Sequence, residues 1–204
     1  MNPRLSALID ELYAGGVAHD AAEPDRLRKR RNLEPATAAL LGLIVRIAGA
    51  RQVVEIGTGN GFSTLWLADA VGDTDGRVVS VDTAARDEAR TNLARADAAQ
   101  PGLAGRVELR QEDGGGYLAR LADESVDLLF LDAERVEYPL WWPHPSRVLR
   151  PGGLLAVDNV LSHAGEAARF LELVSGEPAF VTATIDVGKG LHLAWRRGGG
   201  HRET

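Results

Sequence analysis

No cysteine occurs in the 204 residues, which excludes disulfide frameworks, thiolate-held zinc, iron–sulfur clusters and thiol nucleophiles. Any metal would have to be held by oxygen or imidazole. A membrane-length apolar run is also missing: the longest strongly apolar stretch, Pro35 to Ala50, is broken by Arg46 and falls short of the ~20 residues a span needs. The opening Met1-Asn2-Pro3-Arg4 leads straight into an amphipathic pattern with no signal-peptide core, so a cytoplasmic location without membrane partners is expected. There is no cationic excess either. The formal charge is −6, from 29 acidic against 23 basic residues, which argues against general attraction to nucleic acid or anionic lipid. With 45% hydrophobic and 25% charged residues the composition is that of a folded globular chain, and the length suits a single domain over residues 1–204.

One local feature departs from that balance. Arg26, Arg28, Lys29, Arg30 and Arg31 place five cations within six positions. They could meet phosphates or an acidic substrate tail, or form a solvated face paired with the acidic body.

Leu5, Leu8, Ile9 and Leu12 follow the i, i+3, i+4, i+7 rule, and Gly15-Gly16 is expected to end this first helix. A second helix is expected from about Pro35 to Ala48, completing an N-terminal helical part over residues 1–50. The core, residues 51–197, then alternates short apolar strands with helices. Strands are expected at Gln52–Ile56, Arg77–Asp82, Val107–Gln111, Val126–Asp132 and Gly153–Asp158. Helices are expected at Ser63–Ala70, Arg86–Ala99, Gly116–Ala122, Tyr138–Leu149 and His163–Val174. Such alternation implies a parallel sheet covered on both faces. Ala179–Ile185 and Leu191–Trp195 are joined by a linker short enough only for an antiparallel hairpin. The expected fold is therefore α/β, a doubly wound, Rossmann-like, mostly parallel sheet of seven strands that ends in that hairpin. The tail, residues 198–204, has no apolar content and is expected to fray.

The segment Val53-Val54-Glu55-Ile56-Gly57-Thr58-Gly59-Asn60-Gly61 runs from a buried strand into a glycine turn, and Ser63 opens the following helix. Three glycines let a ligand approach the backbone closely. A dinucleotide fingerprint needs G-x-G-x-x-G, but position 62 is Phe, and no G-x-x-x-x-G-K-[ST] phosphate loop is present. A second acid, Asp82, closes the next strand, where a carboxylate can accept both hydroxyls of a ribose. Asp113-Gly114 follow the third strand. Acids at successive strand ends, facing a turn with no helper for pyrophosphate, suit a neutral or cationic nucleoside such as S-adenosylmethionine. A glycine-rich turn of an arbitrary α/β protein is the plainer alternative.

The stretch from about Asn32 to Arg196 resembles the cation-dependent O-methyltransferases, the group that includes the catechol and caffeoyl-CoA enzymes and many small bacterial relatives. The motifs that carry the resemblance are VVEIGTGNGFSTLWLA, VVSVD, VDLLFLDAERVEY, VLRPGG, LLAVDN and VGKGLHLA. It implies that Glu55, Gly57, Thr58, Gly59 and Ser63 surround the methionine part of the cofactor, that Asp82 holds the ribose and that Asp113-Gly114 lie beside the adenine. It further implies that Asn32-Leu33 close over cofactor and substrate, that Tyr138 matches a family tyrosine, and that the protein pairs as a homodimer.

Asp132 ends the fourth strand and Asp158-Asn159 end the fifth. If the two strands are neighbours, two carboxylates and a carboxamide converge into a hard site that suits Mg²⁺ and tolerates Mn²⁺ or Ca²⁺. The resemblance assigns the same three residues to the metal. Alternatively they cap the helices that follow. A dication matters to this chemistry because a phenol with a pKa of about 10 is a weak nucleophile at neutral pH. The family pattern D-x-x-K, whose lysine takes the substrate proton, here reads Asp132-Ala133-Glu134-Arg135. Arginine cannot be that base, so Arg135 is expected to steady developing negative charge while the dication acidifies the acceptor. A surface ion pair of Arg135 with Glu134 or Glu137 is the plain alternative. His163 is a weaker candidate for the acceptor side, and Trp141 and Trp142 are expected as packing anchors. The expected acceptor is a small molecule with vicinal hydroxyls. A hydroxylated tRNA nucleoside, with the basic cluster tracking phosphates, and a non-catalytic cofactor-binding protein are the alternatives.

Overall fold

The computed structural model describes residues 1–25, 28–84 and 87–198. Arg26 of the basic cluster, Arg86 at the expected start of a helix, and tail residues 199–204 lie outside them.

The chain opens with α1 (Pro3–Ala22) and α2 (Pro35–Ile47). Asn2 caps α1 by accepting the Leu5 N–H at 2.9 Å, and Pro3 at the first turn loses no useful donor. The helix does not stop at Gly15-Gly16. It continues to Ala22, because Gly16 is where the returning chain packs: a Cβ there would stand 2.4 Å from Asn32 Nδ2. That amide donates to Leu12 O at 3.2 Å, so close approach outweighs the roughly 1 kcal/mol helix penalty of glycine.

The core then alternates: β1 (Gln52–Ile56), α3 (Phe62–Gly72), β2 (Arg77–Asp82), α4 (Asp87–Ala99), β3 (Val107–Gln111), α5 (Gly114–Arg120) and β4 (Val126–Leu131). It closes with α6 (His144–Val148), β5 (Leu149–Val157), α7 (Ala164–Ser175), β6 (Phe180–Ile185) and β7 (Leu191–Arg196). The single helix expected over Tyr138–Leu149 is instead a 3-10 helix, Arg135–Trp141, followed by the short α6. Pro139 and Pro143 explain the break, since neither can donate to a continuous helix.

The sheet order is β3-β2-β1-β4-β5-β7-β6. β3 to β5 are mutually parallel, and β7 enters antiparallel between β5 and β6. One face packs against α1 to α4 through residues such as Leu41, Val53, Leu67 and Leu128. The other packs against α5, α7 and the 3-10 turn through Val54, Leu129, Tyr138 and Phe170. Chain order reverses between β1 and β4. The crevice outside their carboxyl ends is the expected ligand position of such a sheet. Among the described residues, no helix is long and apolar enough to cross a membrane.

Candidate active site

A cavity of about 410 Å³ opens at that reversal point. Its floor is the glycine turn. Gly57 adopts φ +110°, and a Cβ there would lie 2.3 Å from Asp132 O, so only glycine lets β1 and β4 release their chains side by side. Gly59 and Gly61 are left-handed too, and Gly61 opens α3. Asp82 fixes the turn from β2: its Oδ2 accepts the N–H groups of Thr58 (3.0 Å) and Gly59 (2.9 Å), and Oδ1 that of Ala84 (2.8 Å).

Glu55 underpins the same turn from below. On β1 it shares a face with Val53, so period-two alternation sends it under α3 and away from the cavity. It is fully buried and accepts hydroxyl hydrogen bonds from Ser63, Thr64 and Ser80, each at 2.5 Å. Burial pushes its pKa up to about 7, against the opposing pull of those three donors.

The opposite wall carries Asp132, Ala133, Glu134 and Arg135, with Asn159 and His163 beside them. β4 and β5 are adjacent and in parallel register, which brings Asp132 and Asp158-Asn159 together. Asn159 takes φ +64°, a conformation asparagine tolerates, and turns its Nδ2 to Asp132 Oδ1 at 3.1 Å. Asp132 is held well above the ordinary carboxylate range by burial and by the charge of Asp158. Asp158 is raised by burial to about 6, and its Oδ1 is buried with no protein partner. Two carboxylates and a carboxamide, one oxygen orphaned, fit a hard cation in donor chemistry. Among the described residues no three Asp, Glu or His side chains cluster as a metal cage.

Arg135 is 4% exposed, and its guanidinium meets Glu166 of α7 at 2.9 and 3.0 Å. Its ion-pair partner is thus neither Glu134, which meets Arg31 at 3.3 Å, nor Glu137. Tyr138 is fully buried. Its hydroxyl donates to Ala133 O (2.9 Å) and accepts Ala133 N–H (2.7 Å), clamping the turn after Asp132. Trp141 packs on Tyr138 with centroids 5.0 Å apart and also lines the cavity. It lies so close over Gly114 and Gly115 that a Cβ on either would stand within 3.2 Å of its ring.

Of the residues singled out from sequence, Gly57, Thr58, Gly59, Ser63, Asp82, Gly114, Asp132, Arg135, Asn159 and His163 line one cavity. Glu55, Asp113, Asp158 and Leu33 do not. Asp113 caps α5 by accepting Gly116 N–H at 2.6 Å, and Asp158 sits buried beside Asp132. Leu33 is 3% exposed and belongs to the core, because the Asn32–Leu12 bond turns it inward. From the segment just before it, Lys29, Arg30 and Arg31 line the cavity. Asp20 pins this strap by accepting the N–H groups of Arg30 (2.7 Å) and Arg31 (2.8 Å), and Arg30 reaches Glu88 at 2.8 Å. The run of cations was its signal in the sequence.

The profile of the family described as O-methyltransferase matches residues 20–174. This chain belongs to that family. A Mycolicibacterium smegmatis protein whose name reads, provisionally, O-methyltransferase is 35% identical over 175 residues, covering 79% of this chain and 81% of its own. Among solved structures, an O-methyltransferase from Bacillus cereus in complex with SAH superposes with a TM-score of 0.76 at 28% identity, covering 94% of this chain and 91% of its own. The O-methyltransferase TomG of Streptomyces achromogenes, involved in tomaymycin synthesis and solved with SAM, gives 0.73 at 27% identity, covering 97% and 91%. The O-methyltransferase fold thus accounts for both the sheet order and the position of the cavity.

Proposed function

We propose that this O-methyltransferase moves the methyl group of S-adenosylmethionine to one hydroxyl of a small acceptor with vicinal hydroxyls, catechol-like in type, with a divalent cation at Asp132, Asp158 and Asn159. The observation that carries the reading is the meeting, at one reversal point of the sheet, of a glycine-floored cavity with two adjacent carboxylates and a carboxamide. Relatives solved with SAH and SAM support the cofactor.

In this reading the turn Gly57–Gly59 faces the amino-acid part of the cofactor, and Asp82, at the end of the neighbouring strand and lining the same cavity, meets the ribose. A divalent ion, when bound, acidifies the hydroxyls and orients them. Transfer breaks the S–CH₃ bond, whose electron pair stays on sulfur, and forms an O–CH₃ bond as the hydroxyl proton leaves to solvent. Arg135 stays protonated throughout. Glu166 holds it against the cavity, where its charge favours the acceptor oxygen as negative charge develops. Trp141 and the strap exclude water from the reacting atoms.

A small acceptor is favoured over a tRNA nucleoside, because Arg30 and Arg31 are committed to Glu88 and Glu134 across the cavity mouth. Titration calorimetry with S-adenosylhomocysteine, with and without Mg²⁺ and a catechol, tests the proposal. The nucleoside should bind alone, and catechol should bind only with both nucleoside and Mg²⁺. Catechol binding that ignores a chelator would overturn the cation assignment.

A further inference from the structure

The turn between β6 and β7 contains Gly188-Lys189-Gly190, and it is wedged between the start of α2 and the segment that follows Asp158-Asn159. On one side, Gly188 (φ +57°) lies so close that a Cβ would stand 2.3 Å from Thr37 Oγ1 and 2.8 Å from Glu34 Oε2. On the other, Lys189 O accepts the N–H groups of Leu161 and Ser162, both at 3.1 Å, and Gly190 O accepts that of Val160 at 3.1 Å. Gly190 (φ +95°) has no room for a side chain against Leu161. The backbone of this turn is therefore fixed to the residues directly after the acidic pair.

Its one long side chain is Lys189. The ammonium meets Glu34 Oε1 at 2.8 Å and is half-buried. Burial works against that charge, yet Glu34, Asp158 and Asp132 together hold its pKa above the ordinary lysine value. Three oxygens of the neighbourhood, Asp158 Oδ1, Glu34 Oε2 and Thr37 Oγ1, are buried without a protein partner. The place is thus rich in acceptors, and Arg135 is already committed to Glu166. Asp132, Asp158 and Glu34 carry three formal negative charges when ionised, and Lys189 answers one of them.

We infer that Lys189, tethered by Glu34, is the resident counter-cation of the Asp132–Asp158 pair, and that a divalent ion binds there against the field of this ammonium. The inference rests on the cation reading above. A charge of two remains for a dication to balance. Removing the ammonium leaves three negative charges and tightens the ion, whereas removing the charge of Glu34 leaves the ammonium in place with less to oppose it and weakens the ion.

Mn²⁺ binding to the full-length chain, followed by electron paramagnetic resonance without cofactor or acceptor, separates these cases. Lys189→Met should bind Mn²⁺ at least about tenfold more tightly than the parent, Lys189→Arg should match the parent, and Glu34→Gln should bind several-fold more weakly. In EDTA, Lys189→Met should also unfold at a lower temperature than Lys189→Arg, because its carboxylates then lose the ammonium and keep only the more distant pull of Arg135, which is paired with Glu166. Equal Mn²⁺ affinity in all four proteins overturns the role of Lys189 and leaves the cation site standing. Absence of Mn²⁺ binding from all four overturns the cation site itself, and this inference with it. The opposite signs at Lys189 and Glu34 guard against a variant that merely folds poorly.

Discussion

The two walls of the cavity are built on opposite plans. On the β1–β2 side the two acids are answered inside the protein: Asp82 holds the turn, and Glu55 collects three hydroxyls. On the β4–β5 side, two carboxylates stand close together, an Asp158 oxygen is orphaned, and cations approach from Arg135 and Lys189. The first wall is finished before any ligand arrives, which lets it bind by shape and by fixed N–H directions. The second keeps unanswered charge, which costs stability and gives a ligand something to answer.

The largest effect should come from dismantling the finished wall. Asp82→Ala removes two charge-assisted bonds to the turn and one to Ala84, and S-adenosylhomocysteine affinity, read by calorimetry, should fall roughly 100-fold. Retained affinity would show that the turn holds its shape unaided. Next in size is the strained wall. Glu166→Gln leaves Arg135 charged, 4% exposed and without its ion pair, at a cost of about 2 kcal/mol in chemical denaturation. Arg135→Met should lower kcat while leaving nucleoside binding intact, and an unchanged rate would deny Arg135 a part in transfer.

Glu55 offers a test by pH. Its folded pKa of about 7 exceeds the ordinary 4.5, so the folded state binds the extra proton and loses stability as pH rises through that window, by an amount on the order of 3 kcal/mol. The melting temperature of Glu55→Gln should therefore gain on the parent between pH 5 and pH 8. Parallel curves would mean that the three hydroxyls already keep Glu55 ionised. The smallest effect belongs to the strap. Arg31 and Glu134 are each about two-fifths exposed, so Glu134→Gln should shift stability by less than about 0.5 kcal/mol, and any shift should disappear in high salt.

The difference between the walls also marks what a reader of the sequence can and cannot see. Strand ends were legible because buried parallel strands are short, nearly unbroken apolar runs, and the chemistry of this fold gathers at their carboxyl ends: Gly57, Asp82, Asp132 and Asn159 follow directly. The hairpin was legible from its five-residue linker, Asp186 to Gly190. Packing decisions were not. Gly15-Gly16 reads as a stop until Asn32 is known to lie against it, and nothing local shows that Leu33 packs into the core. Glu55 looks like a ligand because its spacing to the glycines is visible, while the hydroxyls that enclose it come from two other elements. The pairing of Glu34 with Lys189 joins residues far apart in sequence, and nothing local at either one announces it.

The placement of β7 between β5 and β6 bears on the order of assembly. Of the sheet strands, β7 is the last in the chain, yet it lies inside the sheet, between β5 and the edge strand β6. As a nascent polypeptide emerges, the acidic tip of β5 therefore stands at an open edge until Leu191–Arg196 slot in beside it, carrying the Lys189 turn into position. A chain arrested before that turn would already contain Asp132, Arg135, Asp158 and Asn159 and would lack the ammonium of Lys189, so the acidic pair is synthesised before the cation set against it.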